Sequence, residues 1–409
     1  MKKIIFKGCG TAIVTPFNEN GVNFEEFGRL IEDQISGNVD ALIVCGTTGE
    51  SSTMTLEERK ETITYAIKKV NGRVPVIAGT GGNCTSQVIE FTKWVESAGV
   101  DGALIVTPYY NKTTQAGLIA HYQAIAKETT LPIILYSVPG RTGVNILPAT
   151  CKELSKIENI VAIKEASGNL SQVAEIANLC KDDLNIYSGN DDQITPVLSV
   201  GGIGVISVLS NVAPKYTHDI VENFFNGNVK EAISSQINAV PLVNALFCEV
   251  NPIPVKAALN MLGYNMGTPR LPLIEMSDNG KVAMKKALTE FDLKIGNSFE
   301  SSLILKFSSS EKPVVAITVG ILCFLANSKI VNVATGIEKS MITSGIRFIS
   351  SIFVNTGNEL SPVSTLSNPQ SVSTSCVCFI SSATTWPIFP LQPFITILSI
   401  IFYSFLFNF

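Results

Sequence analysis

Residues 160–167, IVAIKEAS, read as a buried β-strand with one lysine, Lys164, at its centre. The residues around that lysine are apolar and β-branched, as in strands covered on both faces. Strand side chains alternate, so Ala162, Lys164 and Ala166 share one face and Ile163 and Glu165 the other. A lysine between two alanines has space around it and little water. Burial disfavours the charged form of an amine, and the neutral amine is the form that adds to a carbonyl. Lys164 is therefore a candidate Schiff-base nucleophile. A structural lysine paired with a buried carboxylate fits the same pattern.

Working outward, this run is the sixth of eight. The others are residues 11–17 (TAIVTPF), 41–47 (ALIVCGT), 74–80 (VPVIAGT), 103–109 (ALIVTPY), 132–138 (PIILYSV), 185–190 (NIYSGN) and 204–210 (GVISVLS). Segments with helical spacing lie between them, at 23–36, 55–70, 85–98, 115–129, 148–157 and 170–180. The second opens on Thr55-x-x-Glu58, a capping-box pattern. Strand–helix alternation of this kind predicts parallel strands with crossover helices. Eight units in about 210 residues suit a (β/α)8 TIM barrel. A doubly wound open sheet is the alternative, but no GxGxxG follows the first strand. Helical pattern continues at 216–226, 229–246, 254–262 and 276–291, which predicts extra C-terminal helices. The expected organisation is a catalytic barrel over 1–225, a helical region over 226–296, and an atypical apolar tail over 297–409.

Composition narrows the function. The 409 residues carry 30 Lys and Arg, 34 Asp and Glu, and a net charge of −4. No basic stretch suits a phosphate backbone, so nucleic acid is not an expected partner. Nine cysteines include no CxxC pair, and the two histidines are His121 and His218. No disulfide framework, metal centre or cofactor is expected. The N-terminus, MKKIIFKGCG, is too short in apolar residues for a signal peptide and points to the cytoplasm.

In such barrels the chemistry sits at the C-terminal ends of the strands. The second run ends in CGTTGES (45–51), whose glycines and hydroxyls suit a carboxylate, or simply a capped turn. The fourth ends in TPYYN (107–111). The fifth ends in YSVPGRTG (136–143), which offers a phenol and an arginine suited to bidentate binding of a carboxylate. The seventh ends in SGND (188–191). A lysine nucleophile, a tyrosine for proton transfer, a carboxylate cradle and an arginine together fit carbon–carbon bond chemistry on an α-keto acid.

GTTGES, PYYN, YSVPGRTG and IKEASG, in this order and spacing, resemble the dihydrodipicolinate synthase family. These are pyruvate-dependent class I aldolases, grouped with the N-acetylneuraminate lyases. The resemblance covers about residues 3–293. It implies a barrel with C-terminal helices in a homotetramer, a dimer of dimers. It also implies condensation of pyruvate with L-aspartate 4-semialdehyde in lysine and diaminopimelate synthesis. By motif, Lys164 would form the Schiff base and Tyr136 would be the general acid/base, linked through Thr47 to Tyr110 from a neighbouring subunit. Thr47 and Thr48 would hold the pyruvate carboxylate and Arg141 that of the aldehyde. The main chain at Gly189 and Ile206 would line the pyruvate pocket. Arg141 favours the synthase over N-acetylneuraminate lyase-like and keto-sugar-acid aldolases, which remain the alternative. Where lysine-inhibited relatives carry a histidine and a glutamate, this chain has Arg59 and Gln87, although Ser51, Asn83 and Tyr109 remain. Feedback by lysine is therefore expected to be weak or absent.

The tail is set apart by charge. Only nine charged residues lie beyond residue 296, and the last aspartate is Asp292. Three readings stand: a non-native extension, a membrane anchor, or a small domain. The apolar runs at 314–328 and 394–409 fall short of the roughly 20 residues a spanning helix needs. Membrane contact is expected only if the tail is a natural part of the protein. A barrel inactivated by its tail is a further alternative.

Overall fold

The computed structural model describes residues 2–296 and, beyond them, seven short strands between 317 and 378. The chain divides into two units, Met1–Glu300 and Ser301–Phe409. In the first, eight parallel strands close into a barrel in chain order: Gly8–Ala12, Ala41–Val44, Val76–Gly79, Gly102–Val106, Ile133–Ser137, Ile160–Glu165, Asn185–Ser188 and Gly204–Ser207. The first strand pairs with the eighth through Gly10↔Ile206 and with the second through Gly10↔Ala41. The (β/α)8 architecture and the extra C-terminal helices read from the sequence are both present.

The predicted runs overshoot the strands at their C-terminal ends, by one to three residues from the second onward. The first run differs most. It was expected over 11–17, and the strand is Gly8–Ala12. Gly8 and Gly10 look like turn residues, yet both belong to the ladder. Gly8 has φ +129°, and a side chain there would run into the Asp40 carboxylate, which accepts the Cys9 N–H at 2.7 Å. A Cβ on Gly10 would meet the Phe6 ring at 2.7 Å and Ile43 at 2.8 Å. Beyond Ala12 the Asn211 side chain takes over, accepting the Val14 N–H (3.1 Å) and donating to the Ala12 carbonyl (2.9 Å). Residues 17–22 then form a small hairpin, Phe17–Asn18 with Gly21–Val22, that periodicity does not reveal.

Two apolar cores follow from strand alternation. The larger fills the space between barrel and helices and takes in Phe27, Leu42, Val44, Ile105, Ile163 and Ile176. The smaller lies inside the barrel and takes in Phe6, Ile43, Ile77, Leu104, Ile134 and Tyr187. Phe6 stacks on Tyr187 with ring centroids 4.4 Å apart, and the Tyr187 O–H donates to the Phe6 carbonyl (2.6 Å). This packing leaves the polar interior residues toward the opposite, C-terminal mouth. The helices Phe24–Ser36, Leu56–Val70, Thr85–Ala98, Gln115–Lys127, Pro148–Leu154 and Leu170–Cys180 surround the sheet. The Thr55–Glu58 capping box forms as read. A short helix at Ile194–Ser199, absent from the periodicity, completes the seventh unit.

After the eighth strand, Pro214–Phe225 closes the barrel. Val229–Leu246, Ile253–Met261 and Asp278–Glu290 follow. They are tied in by polar contacts. Gln236 donates to the Asp191 carbonyl (2.8 Å) and accepts the Thr195 N–H (3.3 Å). In the second unit, Asn332–Gly336, Ser351–Asn355 and Leu360–Pro362 pair antiparallel. The three readings of the tail otherwise concern residues outside those described. Among the described residues no helix is long and apolar enough to cross a membrane.

Candidate active site

Lys164 lies inside the barrel near the mouth and is 5% exposed. The register places it beside Tyr136 of the fifth strand and Tyr187 of the seventh. Its Nζ is 4.5 Å from the centroid of the Tyr136 ring. Gly189 makes room for it: a Cβ there would meet Ala166 Cβ at 2.6 Å, the Glu165 carbonyl at 3.0 Å and Lys164 Cε at 3.1 Å. The Gly189 N–H donates to that carbonyl at 2.7 Å, which brings the seventh strand's end against the lysine. Ile206, on the eighth strand, is fully buried in the same interior.

The reading of Lys164 as half of a buried ion pair fails on geometry. Glu165 faces the helices, as alternation requires, and accepts from Gln172 Nε2 (3.0 Å) and Ser167 Oγ (2.8 Å). Burial pushes its carboxyl above the ordinary range, and those bonds oppose the rise. Asp191 is also buried, and its Oδ2 accepts the N–H groups of Val208 and Leu209 at 2.9 Å each. Burial raises its carboxyl too, against the pull of Ser207, those N–H groups and the Lys164 charge. Among the described residues, no salt bridge engages Lys164.

The loop after the second strand carries Thr47 and Thr48, half-buried and buried respectively. Its shape needs left-handed backbone at Cys45 (φ 55°) and Glu50 (φ 54°). Glu50 is the anchor. Its Oε1 takes Lys256 Nζ at 2.7 Å in an almost wholly buried pair, and its Oε2 accepts the Arg270 N–H at 2.9 Å. Removing one partner would leave a buried uncompensated charge, which typically costs about 3–5 kcal/mol. Burial lowers the Lys256 ammonium, and Glu50 opposes this.

Arg141 lies on a short helical turn, Pro139–Thr142, after the fifth strand, and is an exposed residue. Its Nη2 donates to the Asn251 carbonyl at 3.1 Å. The Asn251 side chain donates to Thr48 Oγ1 at 3.0 Å. Asn251, Glu50 and Lys256 are site-supporting residues that the sequence reading missed. Thr48 and Asn251 lie 203 positions apart, and nothing local in NPIP (251–254) signals their contact.

The structure thus brings Lys164, Tyr136, Gly189 and Ile206 together, with Thr48 and Arg141 joined through Asn251. It does not bring Tyr110 to them within one chain. Tyr110 is 91% exposed at φ +71°, an uncommon backbone for a bulky residue. Its loop is braced: Asn111 donates to the Asn83 carbonyl (2.9 Å) and Asn83 to the Tyr109 carbonyl (3.2 Å). Among the described residues no hydrogen bond joins Tyr136 to Thr47. Nearby, the Arg59 guanidinium lies 4.1 Å from the Phe91 centroid and donates to the Gly79 carbonyl (3.0 Å).

Known proteins agree with this architecture. The model of the dihydrodipicolinate synthetase family matches residues 5–291. A 4-hydroxy-tetrahydrodipicolinate synthase of Caldicellulosiruptor saccharolyticus is 58% identical over 292 residues, 71% of this chain and 99% of that protein. One from Clostridium tetani is 56% identical over 290 residues, again 71% and 99%. The crystal structure of a dihydrodipicolinate synthase from Thermotoga maritima superposes with a TM-score of 0.70 at 43% identity, covering 71% of this chain and all of that one. With a barrel of the expected topology and a lysine and tyrosine side by side inside it, the chain belongs to the dihydrodipicolinate synthetase family.

Proposed function

We infer that this chain condenses pyruvate with L-aspartate 4-semialdehyde through a Schiff base on Lys164, giving 4-hydroxy-tetrahydrodipicolinate. The activity is that of a 4-hydroxy-tetrahydrodipicolinate synthase, a lyase of lysine and diaminopimelate biosynthesis. The observation that carries the role of Lys164 is its placement: buried, in register with Tyr136, and given space by Gly189.

The chemistry follows from that placement. Lys164 Nζ adds to the pyruvate ketone and water leaves, forming an iminium. The iminium draws electrons from the methyl group, a proton departs, and an enamine remains. The enamine carbon attacks the aldehyde carbon and makes the new C–C bond. The amine of the added chain then attacks the iminium carbon, closes the ring and displaces Lys164. One water is lost overall. Tyr136 relays protons in these steps, a role typically worth about 10²–10⁴-fold. Thr47 and Thr48 hold the pyruvate carboxylate, Arg141 holds that of the aldehyde, and the main chain at Gly189 and Ile206 lines the pocket. No cofactor enters any step.

The exposed, braced Tyr110 supports a role completed by another copy of the chain; that the assembly is a homotetramer and acts in the cytoplasm is proposed from the family resemblance. Lys164→Ala should lower turnover by about a thousand-fold or more while leaving the fold intact. Turnover within tenfold of wild type would refute the role. For regulation, a guanidinium at position 59 repels the ammonium groups of lysine, and Gln87 offers no counter-charge. We expect no half-maximal inhibition at micromolar lysine in steady-state assays; inhibition there would contradict this.

A further inference from the structure

Asn251 lies outside the barrel, between the helices Val229–Leu246 and Ile253–Met261, and is 5% exposed. It touches both loops read as acid-binding. Its Nδ2 donates to Thr48 Oγ1 (3.0 Å), and its carbonyl accepts from Arg141 Nη2 (3.1 Å). We propose that Asn251 is a positioning residue that aims the Thr48 hydroxyl proton at the pyruvate carboxylate. The proposal rests on the reading of Thr48 as part of the carboxylate cradle.

A threonine hydroxyl has one proton and two lone pairs, while an amide NH2 donates only. With Nδ2 occupying a lone pair, the Thr48 proton must point elsewhere. Thr48 is buried and donates to no other group among the described residues, so the proton is free for an incoming anion. A donor fixed in advance binds without first having to be oriented. The segment that carries the amide is anchored on either side of it. Arg141 fixes its main chain, and Lys256, one turn into the next helix, grips Glu50 of the same loop as Thr48. The C-terminal helical region therefore holds the cradle loop at two points, 48 and 50. The Asn251 Oδ1 is buried and has no protein partner. If the amide were turned over, Oδ1 would take the Thr48 proton and the cradle would lose its donor.

The test is the pyruvate concentration that half-saturates borohydride trapping, measured without the aldehyde on wild type, Asn251→Ala, Thr48→Val and the double variant. Loss of one hydrogen bond to a charged group predicts a rise of about tenfold or more for Thr48→Val, and release of the hydroxyl among its three staggered positions a smaller rise, about threefold, for Asn251→Ala. The double variant should rise no further than Thr48→Val alone. For Asn251→Ala, KM for the aldehyde should change less than about threefold, because Arg141 contacts the main chain, which the substitution leaves in place. Asn251→Asp should be worse than Asn251→Ala, since a carboxylate would capture the Thr48 proton. Asn251→Ser, too short to span the gap, serves if the alanine variant does not fold. An unchanged half-saturation in Asn251→Ala, an equal rise in both backgrounds, or wild-type behaviour of Asn251→Asp would overturn the proposal. Absence of any adduct on wild type would instead overturn the Schiff-base reading, and this inference with it.

Discussion

Gly189 shows how finely the lysine is seated. A methyl group there would sit 2.6 Å from Ala166 Cβ and 3.1 Å from Lys164 Cε, so one of the three must move. The tightest contact is with Ala166, which cannot yield without its backbone, so the end of the seventh strand must shift and the lysine stem beside it is displaced as well. Gly189→Ala should therefore lower kcat/KM by about a hundred-fold, the usual cost of a reacting group misplaced by an ångström. Steady-state kinetics check this, and a change under threefold would contradict it. Lys164 itself was legible in the sequence. Period-two alternation alone puts it on the face of Ala162 and Ala166, with Glu165 on the other. Asn251 was not legible, because its contacts with Thr48 and Arg141 join positions 203 and 110 apart. A pattern read in short windows carries no such information.

Elements were easier to find than to delimit. Eight strands and most helices fall where periodicity puts them, and Thr85–Ala98, Leu170–Cys180 and Val229–Leu246 match residue for residue. The strand ends do not. Residues such as Cys45-Gly46-Thr47 and Thr107-Pro108-Tyr109 continue a β-like composition but leave the ladder to build the mouth. The residues proposed to cradle the pyruvate carboxylate thus lie where local propensity and structure part company, while Lys164 and Tyr136 lie within their strands. The helix Leu56–Val70 offers a test of how elements are joined. Glu58 caps it and also accepts from both terminal nitrogens of Arg270, at 2.8 and 2.6 Å. The Arg270 hydrogen bonds hold its carboxyl down at about 2. A lowered folded value means stability present above the ordinary value near 4.5 and lost as pH falls through about 2. Glu58→Gln keeps a capping box and removes the charge. It should cost about 1 kcal/mol at neutral pH, as a partly exposed pair. The difference should fade below about pH 4.5 in chemical denaturation. A pH-independent difference would contradict the ion-pair account.

At the scale of the molecule, the barrel was legible because strand–helix alternation repeats eight times, and few folds use that pattern. The C-terminal helices were legible as helices. The bracing of the 46–50 loop by Lys256 on one of them, and by Asn251 and Arg270 in the segments between them, appears only in three dimensions. Relatives that match 98–100% of their own length do so over about 71% of this chain. The residues beyond 296 are therefore not needed for a complete family member. A chain ending at residue 296 should form the condensation product at no less than half the full-length kcat; loss of activity on truncation would contradict this. The central claim is the covalent role of Lys164, and its most direct test is mass spectrometry after incubation with pyruvate and sodium borohydride. The account predicts one reduced pyruvate adduct per chain, mapped to the peptide carrying Lys164 and absent from Lys164→Ala. An adduct on another lysine, or none on folded wild-type protein, would contradict it.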